Sequence, residues 1–324
     1  MRVAIIGCGK IGSDYDVSLE DGHVYSHTKA YLLNPHAELV AACDLSASQR
    51  RAFENKWGRQ VRLFDTSTEL FAETPNLDLV SICTPTSSHH ADLLRVLEAD
   101  VPHVLCEKPL ARDADEAADI ARRYDEHGRV LCVNHVLRWE PGVIALKERL
   151  SSPRCAVTAV NVVYAKGLRH NGLHAVDLSL YLFGEPSQII KLNEFEEVPG
   201  DPTCDFVLVY PEFNVSFTGL PEKHYSIFEY TIYSDDGKVA ITDLTTRILR
   251  HRAVDHPFLS GYRSLSNEHE ELPCRQDRNM ENVINDVVEG IRSRNPSLFR
   301  CTSADAMLTM GYLQRIRESP CLAG

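Results

Sequence analysis

Closely spaced cysteine pairs are missing from this chain of 324 residues: ten cysteines are present, and none stands in a CxxC arrangement. That excludes a zinc ribbon and a dithiol redox centre. Five of them, Cys8, Cys43, Cys83, Cys106 and Cys132, sit in short apolar runs, where cysteine behaves as a small hydrophobe. Reduced intracellular thiols are expected rather than a disulfide framework. Long apolar stretches are missing too. No run approaches the ~20 residues needed to cross a bilayer, and Val3-Ala4-Ile5-Ile6 is too short for a signal core. A cytoplasmic chain with no membrane partner is expected. Basic residues are in deficit, 34 against 46 acidic ones, giving a formal charge of −12. Such a surface repels phosphate backbones, so no nucleic-acid partner is expected. There is no Pro- or Ser-rich tract that would argue for disorder, and no internal repeat.

What is present is a globular composition, 44% apolar and 25% charged, on a chain long enough for two packed domains. Within residues 1–135, short apolar runs at 3–6, 39–43, 61–64, 79–83, 103–106 and 130–133 alternate with amphipathic helical patterns at 46–57, 88–99 and 113–127. Strands apolar on both faces and separated by helices indicate an α/β doubly wound parallel sheet, a Rossmann domain. Beyond residue 152 the texture changes. Strand-like runs at 156–164, 206–210, 215–218, 228–234 and 238–242 follow one another through short turns, and Ser234-Asp235-Asp236-Gly237 is a hairpin signal resting on its Asp-Gly pair. Residues 136–324 therefore read as a second, α+β domain with a large, mostly antiparallel open sheet. Helices are expected at 172–183, 276–292 and 303–318, the final ones packing back on the first domain, and residues 251–275 read as a long irregular loop.

The chemistry-bearing residues cluster at strand ends. Gly7-Cys8-Gly9-Lys10-Ile11-Gly12 follows the first strand, where one glycine permits a tight turn, the next lets backbone approach a pyrophosphate, and the third allows close helix packing. The polar, turn-rich residues 13–22 delay the following helix to about His27 and are expected to fold over the cofactor or line the substrate cleft. Asp44 ends the second strand. It reads either as an acceptor for the adenosine ribose hydroxyls, favouring NAD over NADP, or as an N-cap; Arg50 and Arg51 keep NADP open. Thr84 and Pro85, after the fourth strand, are placed to bracket a cofactor. Ser87 or Ser88 reads as the cap of the next helix. His89 is structural, solvated or near the cofactor, and His90 structural or solvated. Glu107-Lys108-Pro109 ends the fifth strand, where Lys108 can hydrogen-bond a substrate hydroxyl, with a cis proline holding it inward; alone, it would read as a surface lysine before a turn.

These segments, with Asn134 to Trp139 and Gly172-x-His174-x-x-Asp177, resemble the Gfo/Idh/MocA oxidoreductase family in order and spacing over almost the whole chain. The resemblance implies an NAD(P) cofactor held by Gly7, Gly9, Lys10, Ile11, Gly12, Asp44, Thr84, Pro85, His89 and Glu107. It also implies a sugar, nucleotide-sugar or cyclic polyol substrate, and a homodimer or homotetramer formed through the open sheet. Lys108 matches the family's catalytic lysine and His174 its active-site histidine. Many members carry Asp where this chain has His170. That departure leaves two readings: His170 as acid or base, or as a contact for a charged substrate group with Arg169 and Lys166. Asn171 reads as an N-cap that puts His174 in a first helical turn, where the dipole disfavours imidazolium. Asp177, three residues on, orients that ring or caps.

Substrate contacts are expected from Lys108, Arg138, Tyr164, Arg169, Asn171 and His174, although Arg138 reads equally as the partner of an acidic side chain, and Trp139 as packing. His170, His174 and Asp177 also have a metal-compatible spacing. The family reading explains them without metal, and the Asn171-Gly172 pair is expected to interrupt the helix between the two histidines. The reaction expected is hydride transfer to or from a CH–OH carbon, Lys108 polarising the oxygen and His174, aided by His170, exchanging its proton. Two other classes stay open: a non-catalytic dinucleotide or ligand sensor, and a hydrolase or lyase using transient oxidation with a recycled cofactor.

Overall fold

The six apolar runs of the first part form β1 (Arg2–Ile6), β2 (Glu38–Cys43), β3 (Arg62–Phe64), β4 (Leu79–Ile82), β5 (His103–Cys106) and β6 (Val130–Val133). All pair in parallel, in the order β3-β2-β1-β4-β5-β6. The computed structural model describes residues 1–152 and 155–322. Val3, Ala4 and Ile5 of β1 and Leu79, Val80 and Ile82 of β4 are sealed from solvent, as strands covered on both faces must be. The strand order reverses between β1 and β4, so the crevice past their carboxyl ends is the switch point at which such sheets bind ligands.

The crossovers carry α1 (His27–Leu33), α2 (Ala47–Trp57), α3 (Ser67–Glu73), α4 (Thr86–Glu98) and α5 (Ala114–Glu126). Short polar residues start most of them: Ser26, Ser46, Thr66 and Asp113 each accept a backbone N–H of the first turn. Helix α4 differs from expectation. Pro85 occupies its N-cap position and the helix begins at Thr86, so Ser87 and Ser88 lie inside the first turn and cap nothing. Proline suits a helix entry because its fixed φ matches and its missing donor is not needed there.

The compact unit built on this sheet comprises Met1–Trp139 together with Asp277–Met310. The later segment returns because α8 (Asn279–Ser293) buries Met280, Val283, Ile284, Val287 and Val288 in the same core as the sheet. Amphipathic spacing at i, i+3, i+4, i+7 and i+8 gives it that apolar face.

The other unit comprises Glu140–Gln276 and the chain from Gly311 onward. It contains α6 (Pro141–Leu150), β7 (Val157–Ala165), α7 (Leu173–Phe183), β8 (Gln188–Val198), β9 (Asp201–Val209), β10 (Asn214–Leu220), β11 (Phe228–Ser234), β12 (Gly237–Thr242), β13 (Arg247–Asp255), β14 (Arg263–Leu265) and β15 (Glu270–Leu272). The sheet order is β14-β13-β12-β11-β7-β10-β9-β8, with β15 also on β13, and all pairs are antiparallel except β7 with β10. The chain's last helix, α9 (Ser303–Glu318), begins in the first unit and ends in this one.

Two expectations are corrected here. Residues 251–275 are not an irregular loop, because β13 continues to Asp255 and both β14 and β15 pair with it. The hairpin between β11 and β12 is real but turns on Asp235-Asp236, with Ser234 paired to Gly237. Gly237 (φ 145°) opens the strand, and a Cβ on it would collide with the carbonyl oxygen of His251. The glycine is required by that close approach.

Candidate dinucleotide site

At the switch point the chain leaves β1 through a turn pinned on both sides. Gly7 N–H donates to the Cys43 carbonyl at 2.8 Å and Cys8 N–H to Asp44 Oδ2 at 2.8 Å. Gly7 has φ 98°, and a Cβ there would stand 2.7 Å from the Cys83 carbonyl carbon. A Cβ on Gly12 would strike the Gly7 carbonyl oxygen. Gly9 is different: φ is −75°, and a Cβ there meets nothing within 4 Å among the described residues. Residues Lys10–Asp14 then form one π-helical turn, with Lys10 exposed and Gly12 and Ser13 buried. The outer glycines are thus needed by the fold, while the middle one keeps a surface low where a ligand's phosphates would lie.

Asp44 does two jobs. Oδ2 holds the glycine turn, and Oδ1 accepts Ser46 N–H at 2.8 Å. The cap of α2 is Ser46 itself. Beyond Asp44, Leu45 is 86% exposed, and Arg50 is committed: it donates to the Asp44 carbonyl at 2.6 Å and pairs with Asp65 at 2.7 Å. The thiols beneath are inert. Burial pushes the Cys43 thiol up to about 12, and Cys8 and Cys106 rise for the same reason.

The ends of β4 and β5 are tied to each other. Thr84 spends its hydroxyl on Asp92 at 2.7 Å, so only its backbone faces outward chemistry. His89 is buried, and its ring nitrogens face the carbonyls of Thr84 (2.8 Å) and Pro109 (2.9 Å). It braces two loops and has no nitrogen left for a cofactor. The Lys108-Pro109 bond is cis.

Glu107 lies buried beneath. Burial works to raise its carboxyl, but hydrogen bonding and charge from His27, a hydrogen bond from Asn134 and the charge of Lys108 hold it below the usual carboxylate range. His27 Nε2 is 2.9 Å and Asn134 Nδ2 2.6 Å from Glu107 Oε1. His27 Nδ1 lies 3.1 Å from Ser81 Oγ, which lies 2.7 Å from the Tyr31 hydroxyl. Sequence reasoning missed this chain, since its members are 54 and 80 residues apart.

Residues 15–25 leave Tyr15, Val17, Leu19 and Tyr25 partly or largely exposed. The segment is nonetheless ordered from within. The sealed Asp16 carboxylate accepts the N–H groups of Tyr25 and Ser26 and the Ser26 hydroxyl, and buried Lys29 donates to the Asp21 carbonyl at 2.9 Å. Arg138, a candidate for substrate, instead donates to the Arg300 carbonyl at 3.1 Å and pairs with Asp305 at 3.0 Å while 3% exposed. An acidic side chain, the other reading of this residue, is among its partners. Trp139 is buried and donates to the Leu298 carbonyl at 3.3 Å.

In the second unit, Lys166 (φ 75°) and Gly167 (φ 71°) turn the chain out of β7 into a π-helical turn, Gly167–Gly172, that runs straight into α7. Asn171 therefore does not cap the helix. Gly172 holds the N-cap position with helical dihedrals (φ −56°, ψ −37°), and the helical path is unbroken from His170 to His174. A π turn commonly marks a functional stretch of helix. His170 and Arg169 are exposed, Asn171 and His174 half-buried, and Asp177 buried. Asp201 fixes the turn by accepting Arg169 N–H at 2.7 Å, and Lys166 pairs with Glu222 at 3.3 Å.

Tyr164 is a core residue and not a substrate contact. It is fully buried, donating to the Cys204 carbonyl at 2.8 Å and accepting Cys204 N–H at 2.9 Å. No helix in the described residues is long and apolar enough to cross a membrane.

Comparison with known proteins follows the same division. Residues 1–135 match an oxidoreductase family described as having an NAD-binding Rossmann fold. A D-glucoside 3-dehydrogenase from Escherichia coli (strain K12) is 30% identical over 225 residues, 63% of this chain and 60% of that protein. An inositol 2-dehydrogenase from Mycolicibacterium smegmatis is 27% identical over 215 residues, 62% of this chain and 58% of that one. The chain thus spans about three-fifths of the length of these relatives. Among solved structures, the UDP-N-acetylglucosamine 3-dehydrogenase GnnA from Acidithiobacillus ferrooxidans has a TM-score of 0.76 at 20% identity, covering 98% of this chain and 96% of that one. The WlbA dehydrogenase from Bordetella pertussis, in complex with NADH and UDP-GlcNAcA, scores 0.74 at 18% identity, with 98% and 96% covered. At those identities the likeness is one of fold.

Proposed function

We propose that this chain, whose residues 1–135 match an oxidoreductase family with an NAD-binding Rossmann fold, is a Gfo/Idh/MocA oxidoreductase that transfers a hydride between a nicotinamide dinucleotide and a CH–OH or carbonyl carbon of a sugar, nucleotide-sugar or cyclic polyol. The observation that carries the dinucleotide half is Gly9. Nothing in the chain's own conformation or packing requires glycine there, while its two companions are sterically obligatory. A residue kept small with open space above it is what a pyrophosphate needs. Gly7, Gly9 and Gly12, with the backbone of Lys10 and Ile11, would hold the phosphates. Asp44 would take the adenosine ribose, and Thr84-Pro85 and Glu107 would flank the nicotinamide end.

The tie between Arg50 and Asp65 supports NAD over NADP, because a 2′-phosphate would have to break that pair. Bound there, the nicotinamide supplies the hydride donor or acceptor. To Lys108 we assign the polarisation of the reacting oxygen. To His174, with His170 one helical turn before it, we assign the exchange of that oxygen's proton. The substrate class rests on the names of the relatives. We further assign the chain to the cytoplasm, which its free cysteines support, and to a homo-oligomer paired through the open sheet of the second unit.

The test is spectroscopic. Purified protein is titrated with NADH by fluorescence, and 340 nm absorbance is followed with a panel of sugars, cyclic polyols and nucleotide sugars. Net turnover that collapses in Lys108→Met while NADH binding persists is expected. Unchanged turnover in Lys108→Met would remove the lysine from the mechanism. Reaction without net cofactor change would make the chain a hydrolase or lyase of the recycling kind, and ligand binding without chemistry would make it a sensor.

A further inference from the structure

The buried chain Tyr31–Ser81–His27–Glu107 ends on a carboxylate, which can only accept. Glu107 Oε1 accepts from Asn134 Nδ2 at 2.6 Å and faces His27 Nε2 at 2.9 Å. With Nε2 carrying the proton, Nδ1 becomes an acceptor 3.1 Å from the Ser81 hydroxyl, and Ser81 Oγ is itself an acceptor 2.7 Å from the Tyr31 hydroxyl. Every donor is then used once: Tyr31 to Ser81, Ser81 to His27, and His27 to the carboxylate. An imidazolium ring would donate from both nitrogens, to Ser81 Oγ and to Glu107, with Ser81 Oγ still able to accept from Tyr31. Either way the terminal acceptor is Glu107, and His27 and Ser81 are sealed from water. Both bonds to Glu107 fall on Oε1, and Oε2 accepts no hydrogen bond from the described residues, while the side chain keeps 10% of its surface exposed.

A buried carboxylate in that state needs a reason. Burial alone would favour the protonated acid, which carries its proton on one oxygen or the other and has no charge. We propose that His27, backed by Ser81 and Tyr31, is a positioning residue that keeps Glu107 a carboxylate, clamps its Oε1, and presents Oε2 as a fixed acceptor for a ligand hydroxyl at the end of β5. The proposal rests on the dinucleotide reading for the identity of that ligand, a ribose or substrate hydroxyl, and on geometry alone for the clamp. The charge so maintained also attracts the ammonium of neighbouring Lys108. The groups facing Glu107 are His27 from α1, Cys83 just past β4, Cys106 and Lys108 on its own segment, and Asn134 beyond β6. Of these, only His27 and Asn134 hydrogen-bond the carboxylate, and only His27 connects it to a further donor chain.

The decisive measurement follows the carboxyl carbon of Glu107 by NMR in protein labelled with [5-¹³C]glutamate, its signal identified by loss in Glu107→Gln. His27→Phe is expected to raise the titration midpoint of Glu107 by about one unit or more. His27→Gln, which can still donate to Oε1, should hold it near the wild-type position. NADH affinity is measured alongside by fluorescence at each pH. Affinity in the Phe variant should fall, severalfold relative to wild type, as pH drops through the raised midpoint. An unshifted Glu107 midpoint in folded His27→Phe would overturn the proposal, as would affinities that follow the wild-type pH dependence once the midpoint has moved. If Phe at position 27 prevents folding, Ser81→Ala carries the test, with a smaller shift in the same direction expected and no shift overturning it. Wild-type protein that binds no NADH would sink the dinucleotide reading while leaving the titration to decide the clamp.

Discussion

The carboxylate of Asp44 accepts the backbone N–H of Cys8 at 2.8 Å, so the residue just past β2 also shapes the glycine turn that follows β1. The residue proposed to take the ribose and the turn proposed to cradle the phosphates are therefore one mechanical unit. Asp44→Ala should weaken NADH binding at least tenfold, about 1.4 kcal/mol or more. It should also lower stability, because two N–H groups lose their acceptor. Asp44→Asn keeps one acceptor oxygen and should fall between, in both fluorescence titration and thermal unfolding. Equal, wild-type affinity in both variants would remove Asp44 from the cofactor site.

Arg50 is held by its own neighbours, and Asp65, though 68% exposed in its side chain, is the partner that fixes the guanidinium direction. An exposed pair contributes little to stability, so its effect is on specificity. Asp65→Asn should leave the unfolding midpoint nearly unchanged and improve NADPH affinity relative to NADH by roughly three- to tenfold, as a freed guanidinium finds the 2′-phosphate. A ratio identical to wild type would show that Arg50 does not reach the cofactor.

The three glycines make opposite demands. Gly12→Ala forces a Cβ into the Gly7 carbonyl and should destabilise the protein by roughly 1–3 kcal/mol. Gly9→Ala meets no such obstacle. Alanine in an accessible backbone conformation is neutral or slightly stabilising, by up to about 1 kcal/mol, so the variant should unfold like wild type yet lose NADH affinity at least tenfold, about 1.4 kcal/mol. Calorimetry and fluorescence on the two variants separate the roles. Retained affinity in Gly9→Ala would mean that no phosphate passes over it.

Much of this site was legible because parallel strands advertise themselves. Most of β1 to β6 are apolar runs with buried centres, the short edge strand β3 with its exposed Arg62 being the exception, so their ends could be read from the sequence to within a residue or two, and Asp44, Thr84 and Glu107 with them. Legibility fails where burial fails. Strand β8 reads Gln-Ile-Ile-Lys-Leu-Asn-Glu-Phe-Glu-Glu-Val and is mostly exposed, and β13 carries Arg247, Arg250, His251 and Arg252. These strands near the sheet edges are held by ladder hydrogen bonds rather than by an apolar face, and periodicity does not register them. Tyr164 misled for the opposite reason. A tyrosine near a turn looks available, but alternation along β7 points it inward to the Cys204 backbone. The His27–Ser81–Tyr31 chain joins α1 to β4 across the fold, and no local spacing encodes that meeting.

Arg138 gives the clearest separation of structural from catalytic roles. Its guanidinium is buried against Asp305 and the Arg300 carbonyl. Burial acts to raise the Asp305 carboxyl, but the charge of Arg138 and hydrogen bonds from Thr302 prevail and hold it below the usual carboxylate range. A carboxyl lowered by folding contributes stability that is present above its ordinary range near about pH 4 and lost as pH falls through the lowered folded value. Asp305→Asn should therefore be less stable than wild type at pH 7, by roughly 1–3 kcal/mol for the charged hydrogen bonds removed. The two proteins should converge as the pH falls through the lowered folded value of the wild-type carboxyl. Thermal unfolding from pH 7 downward measures this. Arg138→Gln should behave the same way, with KM for the eventual substrate unmoved. A raised KM with an unchanged acid profile would return Arg138 to the substrate site.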